Sequence, residues 1–296
     1  MTTRIAISTR KGGVGKSEVL VALASAFARK KERVLAVDLD PQANASRRLG
    51  AAWEADAGKP SISEVIKADA VGVGEDAVVS CGWTDENGNP TEEASYIDVL
   101  AARLDLINRE GEAGQVGALR RLKKALDGGW TDKYDWILFD NKPDLGHLVQ
   151  LSLAATDYVL VPSTLDFDAV AGAIEVRQFI AEHADDMMNP SLKLLAVLPT
   201  RYDKRKAEQN FQYDNLREYF PDELLKFARN VERNGTVEFV TPSYIPERTR
   251  FAEADSAAVS LTAWNDATAR ETVAIYDALA DALTTRVSEL AAEVAA

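Results

Sequence analysis

The sequence predicts an α/β fold, a mostly parallel sheet with helices on both faces. Two observations predict it. Apolar runs bounded by turn signals recur along the chain with helical stretches between them. A glycine-rich loop joins the first run to the first helical stretch. Strands alternating with helices imply right-handed crossovers and a sheet covered on both sides. Ile5–Ser8, Val34–Val37, Trp136–Phe139, Tyr158–Val161 and Leu194–Leu198 read as buried strands. Helical periodicity fits Glu18–Lys30, Leu119–Leu126, Ala169–Glu182 and Asp266–Val294. No internal repeat or long linker interrupts the pattern, so residues 1–296 read as a single domain. An acidic, glycine-rich embellishment at roughly residues 50–132 lacks the strand–helix rhythm. Within it, Thr84 to Pro90 has strong turn chemistry, and Val78–Trp83 and Ser95–Leu100 on either side read as a hairpin or sheet-edge addition, with a solvated loop as the alternative.

The loop is Arg10-Lys11-Gly12-Gly13-Val14-Gly15-Lys16-Ser17, between a strand and a helix. That is the arrangement of a phosphate-binding loop. Glycines let the backbone wrap around phosphate oxygens with its N–H groups pointing inward, and the helix N-terminus adds partial positive charge. Lys16 is placed to reach the β- and γ-phosphates of ATP, and the Ser17 hydroxyl to ligate Mg²⁺. In an open parallel sheet, ligands lie beyond the carboxyl ends of the strands. Asp38 and Asp40 end the second strand and share a face, since residues two apart point the same way. Asp140 ends the apolar run from Trp136. Carboxylates at these positions suit a Mg²⁺ shell or the orientation of an attacking water; a turn or a cap is the bland alternative for each.

Composition bounds the rest. The 296 residues are 46% hydrophobic and 27% charged, as expected of a globular protein with a sizeable core. No apolar run reaches the ~18 residues of a membrane span, and Met1-Thr2-Thr3 leads straight into the first strand without a signal peptide. The expectation is a cytoplasmic protein. Cys81 is alone and His147 and His183 are the only histidines, which excludes an intrachain disulfide and a Cys- or His-based metal cluster. A net charge of −13 argues against a general nucleic-acid coat and requires any basic patch to be local.

Four motifs in order carry a family resemblance. They are Lys11-Gly12-Gly13-Val14-Gly15-Lys16-Ser17; Asp38-Leu39-Asp40-Pro41-Gln42-Ala43-Asn44; Tyr134-Asp135-Trp136 through Asp140 and Leu145-Gly146; and Tyr244-Ile245-Pro246 through Ala252-Glu253-Ala254. Over nearly its whole length the chain resembles the ParA/MinD group of deviant phosphate-loop ATPases, and within it the ParA partition ATPases. The resemblance implies that Lys11 reaches across an ATP-bound homodimer to the partner's phosphates. It implies that Gly12, Gly13, Val14, Gly15, Lys16, Ser17 and Glu18 hold the nucleotide with Pro246 at the adenine. It also implies that Asp40 orients the hydrolytic water while Ser17, Asp38 and Asp140 serve the metal. The implied cycle is ATP-dependent dimerisation, non-specific DNA binding on the nucleoid, and weak hydrolysis stimulated by a ParB-like centromere-binding or adaptor protein.

Two departures bear on that cycle. Where the family usually has Thr after the Mg²⁺ serine, Glu18 stands; it favours the helix dipole but repels phosphate. Where the family usually has Thr-Pro-Pro-Ser after the metal aspartate, the chain reads Asn141-Lys142-Pro143-Asp144. DNA binding needs clustered cations. The best cluster runs from Arg201 to Lys206, and family alignment singles out Arg205 and Arg250; Arg120, Arg121, Lys123 and Lys124 form a second run. The rival readings are a positioning ATPase for a protein cargo, a MinD-like membrane ATPase, which needs a basic amphipathic C-terminal helix where this chain is acidic, and an ATP-dependent metabolic ligase, which has no use for Lys11.

Overall fold

The computed structural model describes residues 2–51, 58–227, 229–233, 236–240, 244–247, 257–264 and 266–295. Seven strands form one sheet: β1 (Thr3–Ile7), β2 (Val34–Leu39), β3 (Val78–Ser80), β4 (Ile97–Leu100), β5 (Trp136–Asn141), β6 (Tyr158–Thr164) and β7 (Lys193–Thr200). Their order is β3-β4-β2-β5-β1-β6-β7, parallel throughout except for β3, which runs antiparallel to β4. A separate antiparallel pair joins β8 (Arg229–Arg233) to β9 (Thr236–Val240).

The central strands are mostly apolar, with side chains of both faces buried, because both faces are covered. Ile5 and Ile7 of β1 enter one core while Ala6 enters the other, and in β2 Val34 and Ala36 part from Leu35, Val37 and Leu39 in the same way. The first face is closed by α1 (Lys16–Arg29), where Phe27 stacks on Trp136 at 4.2 Å. The long C-terminal helix, numbered α8 (Ala267–Ala295), packs on α1, and Arg29 pairs with Asp277 at 2.6 Å. The second face carries α3 (Ile62–Ala68), α4 (Arg121–Leu126), α5 (His147–Ala154) and α6 (Phe167–His183). Two further helices are α2 (Asn44–Arg48), after β2, and α7 (Ala207–Tyr219), after β7.

The acidic segment joins the main sheet. Val78–Ser80 and Ile97–Leu100 form its edge, with β4 parallel to β2 and β3 outermost. The turn between them is held by Asp85, which accepts from the backbone N–H groups of Asn87 and Asn89 at 2.9 Å each. Trp83 is buried and donates its indole N–H to the Arg48 carbonyl. The helix expected at Leu119 starts at Arg121 instead, preceded by a 3₁₀ turn over Ala118–Arg120. Cys81 is buried, and burial pushes its thiol up to about 12, which disfavours the thiolate. Among the described residues no helix is long and apolar enough to cross a membrane.

Candidate nucleotide site

The functional residues gather at the carboxyl ends of the parallel strands. After β1, Gly13 (φ +77°) and Gly15 (φ +94°) adopt the left-handed conformation, which costs an L-residue ~1–2 kcal/mol. Gly15 is the N-cap of α1, so the helix dipole and its unpaired N–H groups face the loop. Val14 is buried, and its carbonyl accepts from the Thr200 hydroxyl at 2.7 Å, which fastens the loop to the end of β7. A cavity of about 480 Å³ lies against the loop and is bordered by Gly12, Gly13, Gly15, Lys16, Ser17, Glu18, Asp40, Lys142 and Arg201 among others.

Lys16 is buried, and burial pulls its pKa down against the opposing pull of Asp140, Asp40 and Asp144. Ser17 donates its hydroxyl to Asp140 Oδ2 at 2.5 Å, while Asp140 Oδ1 is buried without a hydrogen-bond partner. Burial pushes the Asp140 carboxyl up to about 8, and the neighbouring Asp38 adds to the shift. Asp38 lies directly across from Asp140 in the β2–β5 register and is fully buried, which pushes it up to about 6. Its oxygens accept from Ser46 N (2.8 Å), Ser46 Oγ (2.7 Å) and Asp40 N (3.1 Å). Asp40 stands just past β2, half-exposed at the cavity, and accepts from Gln42 N at 2.9 Å. A seryl hydroxyl beside a buried carboxylate with an unmet lone pair fits a divalent cation; the donor set has the hard oxygens that Mg²⁺ prefers.

Lys11 points elsewhere. Its ammonium bonds to Asp166, the N-cap of α6, with Asp168 at 4.0 Å, and Arg10 pairs with Glu175 on the same helix. Lys142 is held by Glu110 (2.5 Å) and Asp144 (2.6 Å), and Glu110 also accepts from the His147 N–H at the start of α5. Pro246 lies beside Tyr202, joined to it by a single β-bridge, and does not border the cavity formed by the described residues. Arg205 is exposed and bonds to Asp203 through two nitrogens at 2.8 Å each. Arg250 lies outside the described residues, as do Ala252, Glu253 and Ala254 of the late motif.

Three features escape sequence reasoning. Thr200 anchors the loop, yet no spacing links residue 200 to residue 14. Arg201 turns into the cavity instead of joining the surface cluster, with φ +54° and its guanidinium 3.2 Å from Glu18. Ala43 (φ +53°) sits at the N-cap of α2 in a left-handed conformation that favours Gly.

A parallel sheet with a glycine loop leading from its central strand into a helix, and with Lys-Ser beneath a buried strand-end aspartate, defines a phosphate-loop nucleoside triphosphatase. The model of a family described as "AAA domain" matches residues 2–194. The chain is 32% identical to the chromosome partitioning protein ParA of Myxococcus xanthus over 80% of this chain and 79% of that protein. It is 31% identical to ParA of Caulobacter vibrioides over 80% and 85%. Among solved structures it resembles cobyrinic acid a,c-diamide synthase of Mycobacterium smegmatis with bound ADP and magnesium, at 30% identity and a TM-score of 0.62, over 74% of this chain and 82% of that one. McdA of Cyanothece, in complex with ATP, shares the fold with a TM-score of 0.74 at 19% identity, over 96% of each chain. The chain belongs to the ParA/MinD family of P-loop ATPases.

Proposed function

We propose that this chain is a ParA-type ATPase that dimerises on ATP, binds DNA without sequence preference on the nucleoid, and drives plasmid or chromosome partition. The observation that carries this reading is the divergence of two lysines on one loop. Lys16 is buried at the cavity, where a single nucleotide site needs it; Lys11 is held outside by Asp166, where only a second copy's nucleotide has a use for it. The chain's similarity to two chromosome partitioning proteins supports the same reading.

The site then divides its work. Backbone N–H groups from Gly12 to Ser17 cradle the phosphates, and Lys16 supplies their main counter-charge. Ser17 and Asp140, with Asp38 behind them, would hold Mg²⁺, which would supply counter-charge at the phosphates. Asp40 orients the attacking water, Glu18 lies against the phosphates, and Pro246, outside the border of the described cavity, flanks the adenine beyond it. One half-exposed carboxylate, already engaged by the Gln42 N–H, gives slow intrinsic hydrolysis, which a ParB-like centromere-binding or adaptor protein accelerates. DNA is met by a local patch that includes Arg205 and Arg250.

The test is DNA retardation with Mg²⁺ and ATP at low and moderate salt. Binding that requires ATP, falls steeply with salt and is lost in Arg205→Ala/Arg250→Ala supports the proposal. Binding that ignores nucleotide, or an unchanged double variant, contradicts the patch. No binding at low salt turns the reading toward positioning of a protein cargo. The 30% identity to a cobyrinic acid a,c-diamide synthase favours a second reading, an ATP-dependent ligase. That enzyme would hydrolyse ATP only with its small-molecule substrate and would tolerate Lys11→Ala.

A further inference from the structure

Glu18 puts a carboxylate at the border of the cavity that the phosphate loop faces. The N-terminus of α1 offers unpaired N–H groups and partial positive charge to an anion. Glu18 sits in that first turn, 7% exposed, and folds back toward the loop so that its Cδ and Oε2 lie 3.8 Å from where a Cβ on Gly15 would stand. It borders the same cavity as Lys16 and Ser17. Unneutralised, it would repel any nucleotide that the loop gathers.

Arg201 answers it. The guanidinium lies 3.2 Å from Glu18 Oε2 and borders the cavity too. Its position is imposed by the backbone. Arg201 has φ +54°, a conformation that persists only where the surroundings hold it. On one side Thr200 bonds to the Val14 carbonyl at 2.7 Å; on the other the Tyr202 N–H donates to the Ile245 carbonyl at 3.1 Å. The residue that follows β7 is thus fixed opposite the residue that follows Ser17.

We propose that Arg201 is a nucleotide-positioning residue made necessary by Glu18. The pair replaces a neutral hydroxyl with a salt bridge whose guanidinium neutralises the carboxylate and keeps donors free for a phosphate common to ADP and ATP, since the forked group carries five N–H bonds. This rests on the nucleotide-site reading above.

The experiment is calorimetric binding of ADP and of a slowly hydrolysed ATP analogue, each with Mg²⁺, to wild type, Arg201→Ala, Arg201→Lys, Glu18→Gln and the Glu18→Gln/Arg201→Ala double variant. Melting curves without nucleotide check folding. Arg201→Ala should weaken both nucleotides alike by about tenfold to a hundredfold, the worth of a charge-assisted hydrogen bond. Arg201→Lys should recover part of the loss, and Glu18→Gln alone should tighten both ligands. In the Glu18→Gln background the Arg201→Ala loss should shrink to about threefold or less, since directly contacting residues are energetically coupled. Equal losses in the two backgrounds, or wild-type affinity in Arg201→Ala, overturn the inference while leaving the nucleotide site intact. A wild-type protein that binds neither nucleotide overturns both. If Arg201→Ala does not fold, Glu18→Gln decides: tighter binding supports the pair, and unchanged or weaker binding overturns it.

Discussion

The phosphate loop and the basic segment from Arg201 to Lys206 both concentrate cations, and they use them in opposite ways. Lys16 is desolvated at the edge of the cavity, within electrostatic reach of Asp140, Asp40 and Asp144. Its charge is preorganised for an incoming anion, which meets it in a medium of low dielectric. In the basic segment Arg205 is 89% exposed and clasped by Asp203, Lys206 lies 3.4 Å from Glu247, and Arg201 has turned inward to Glu18. The Arg205–Asp203 and Lys206–Glu247 pairs lie at the surface, where such pairs are worth little and are screened by salt. Counting charges along the chain therefore ranks the second region above the first, whereas burial ranks them the other way.

The largest break in that comparison is Lys16→Ala. It should weaken ATP binding at least about a hundredfold, because a desolvated phosphate loses a charge-assisted partner; calorimetry checks this, and unchanged affinity with unchanged turnover would remove the phosphate-loop assignment. Next comes Asp40→Ala, which should keep ATP binding but slow hydrolysis by about a hundredfold or more, the usual share of a positioned acid–base group. Phosphate release under single-turnover conditions measures it, and normal turnover would give the water to another group.

The two regions also differ in the sign of their pH dependence. Burial holds Asp140 up to about 8 and Asp38 up to about 6 in the nucleotide-free protein. Between roughly pH 4 and pH 8 the folded state then carries more protons than the unfolded one, so these groups make stability fall as pH rises through that window. Asp203 is opposite: hydrogen bonds from Arg205 pull it down to about 2, so its small contribution is present at neutral pH and fades in acid. Melting temperature against pH should fall less steeply between pH 5 and pH 8 in Asp140→Asn than in wild type. An unchanged slope would show that Asp140 ionises freely when folded. The smallest effect belongs to Arg205→Ala, which should leave nucleotide affinity unchanged and reduce the salt slope of DNA binding by about one. A change in nucleotide affinity would tie the basic segment to the cavity through more than Arg201.

What the sequence revealed follows the same division. Strands buried on both faces are written as largely apolar runs, so β1, β2, β5, β6 and β7 were legible; β2, β5 and β6 run two or three residues further at the carboxyl end, β7 extends at both ends, and β1 begins two residues earlier but stops at Ile7, short of the expected Ser8. The loop was legible because glycines, Lys16 and Ser17 are adjacent in the chain. The edge strands β3 and β4 were only half legible, since three or four residues between turns look the same in a sheet as in a loop. Contacts made across the fold left no trace: Thr200 on Val14, Arg201 on Glu18 and Lys11 on Asp166 join residues 155 or more positions apart. Glu18 did announce itself as a departure from the family motif, but nothing in its neighbours named the partner that would neutralise it.

The central claim is that Lys11 leaves Asp166 to complete a nucleotide site on a second copy. Light scattering with Mg²⁺ and a slowly hydrolysed ATP analogue tests it most directly, on wild type and on Lys11→Ala. The account predicts the mass of one chain without nucleotide, of two chains with the analogue, and of one chain for Lys11→Ala under both conditions. A Lys11→Ala protein that dimerises as fully as wild type would contradict it.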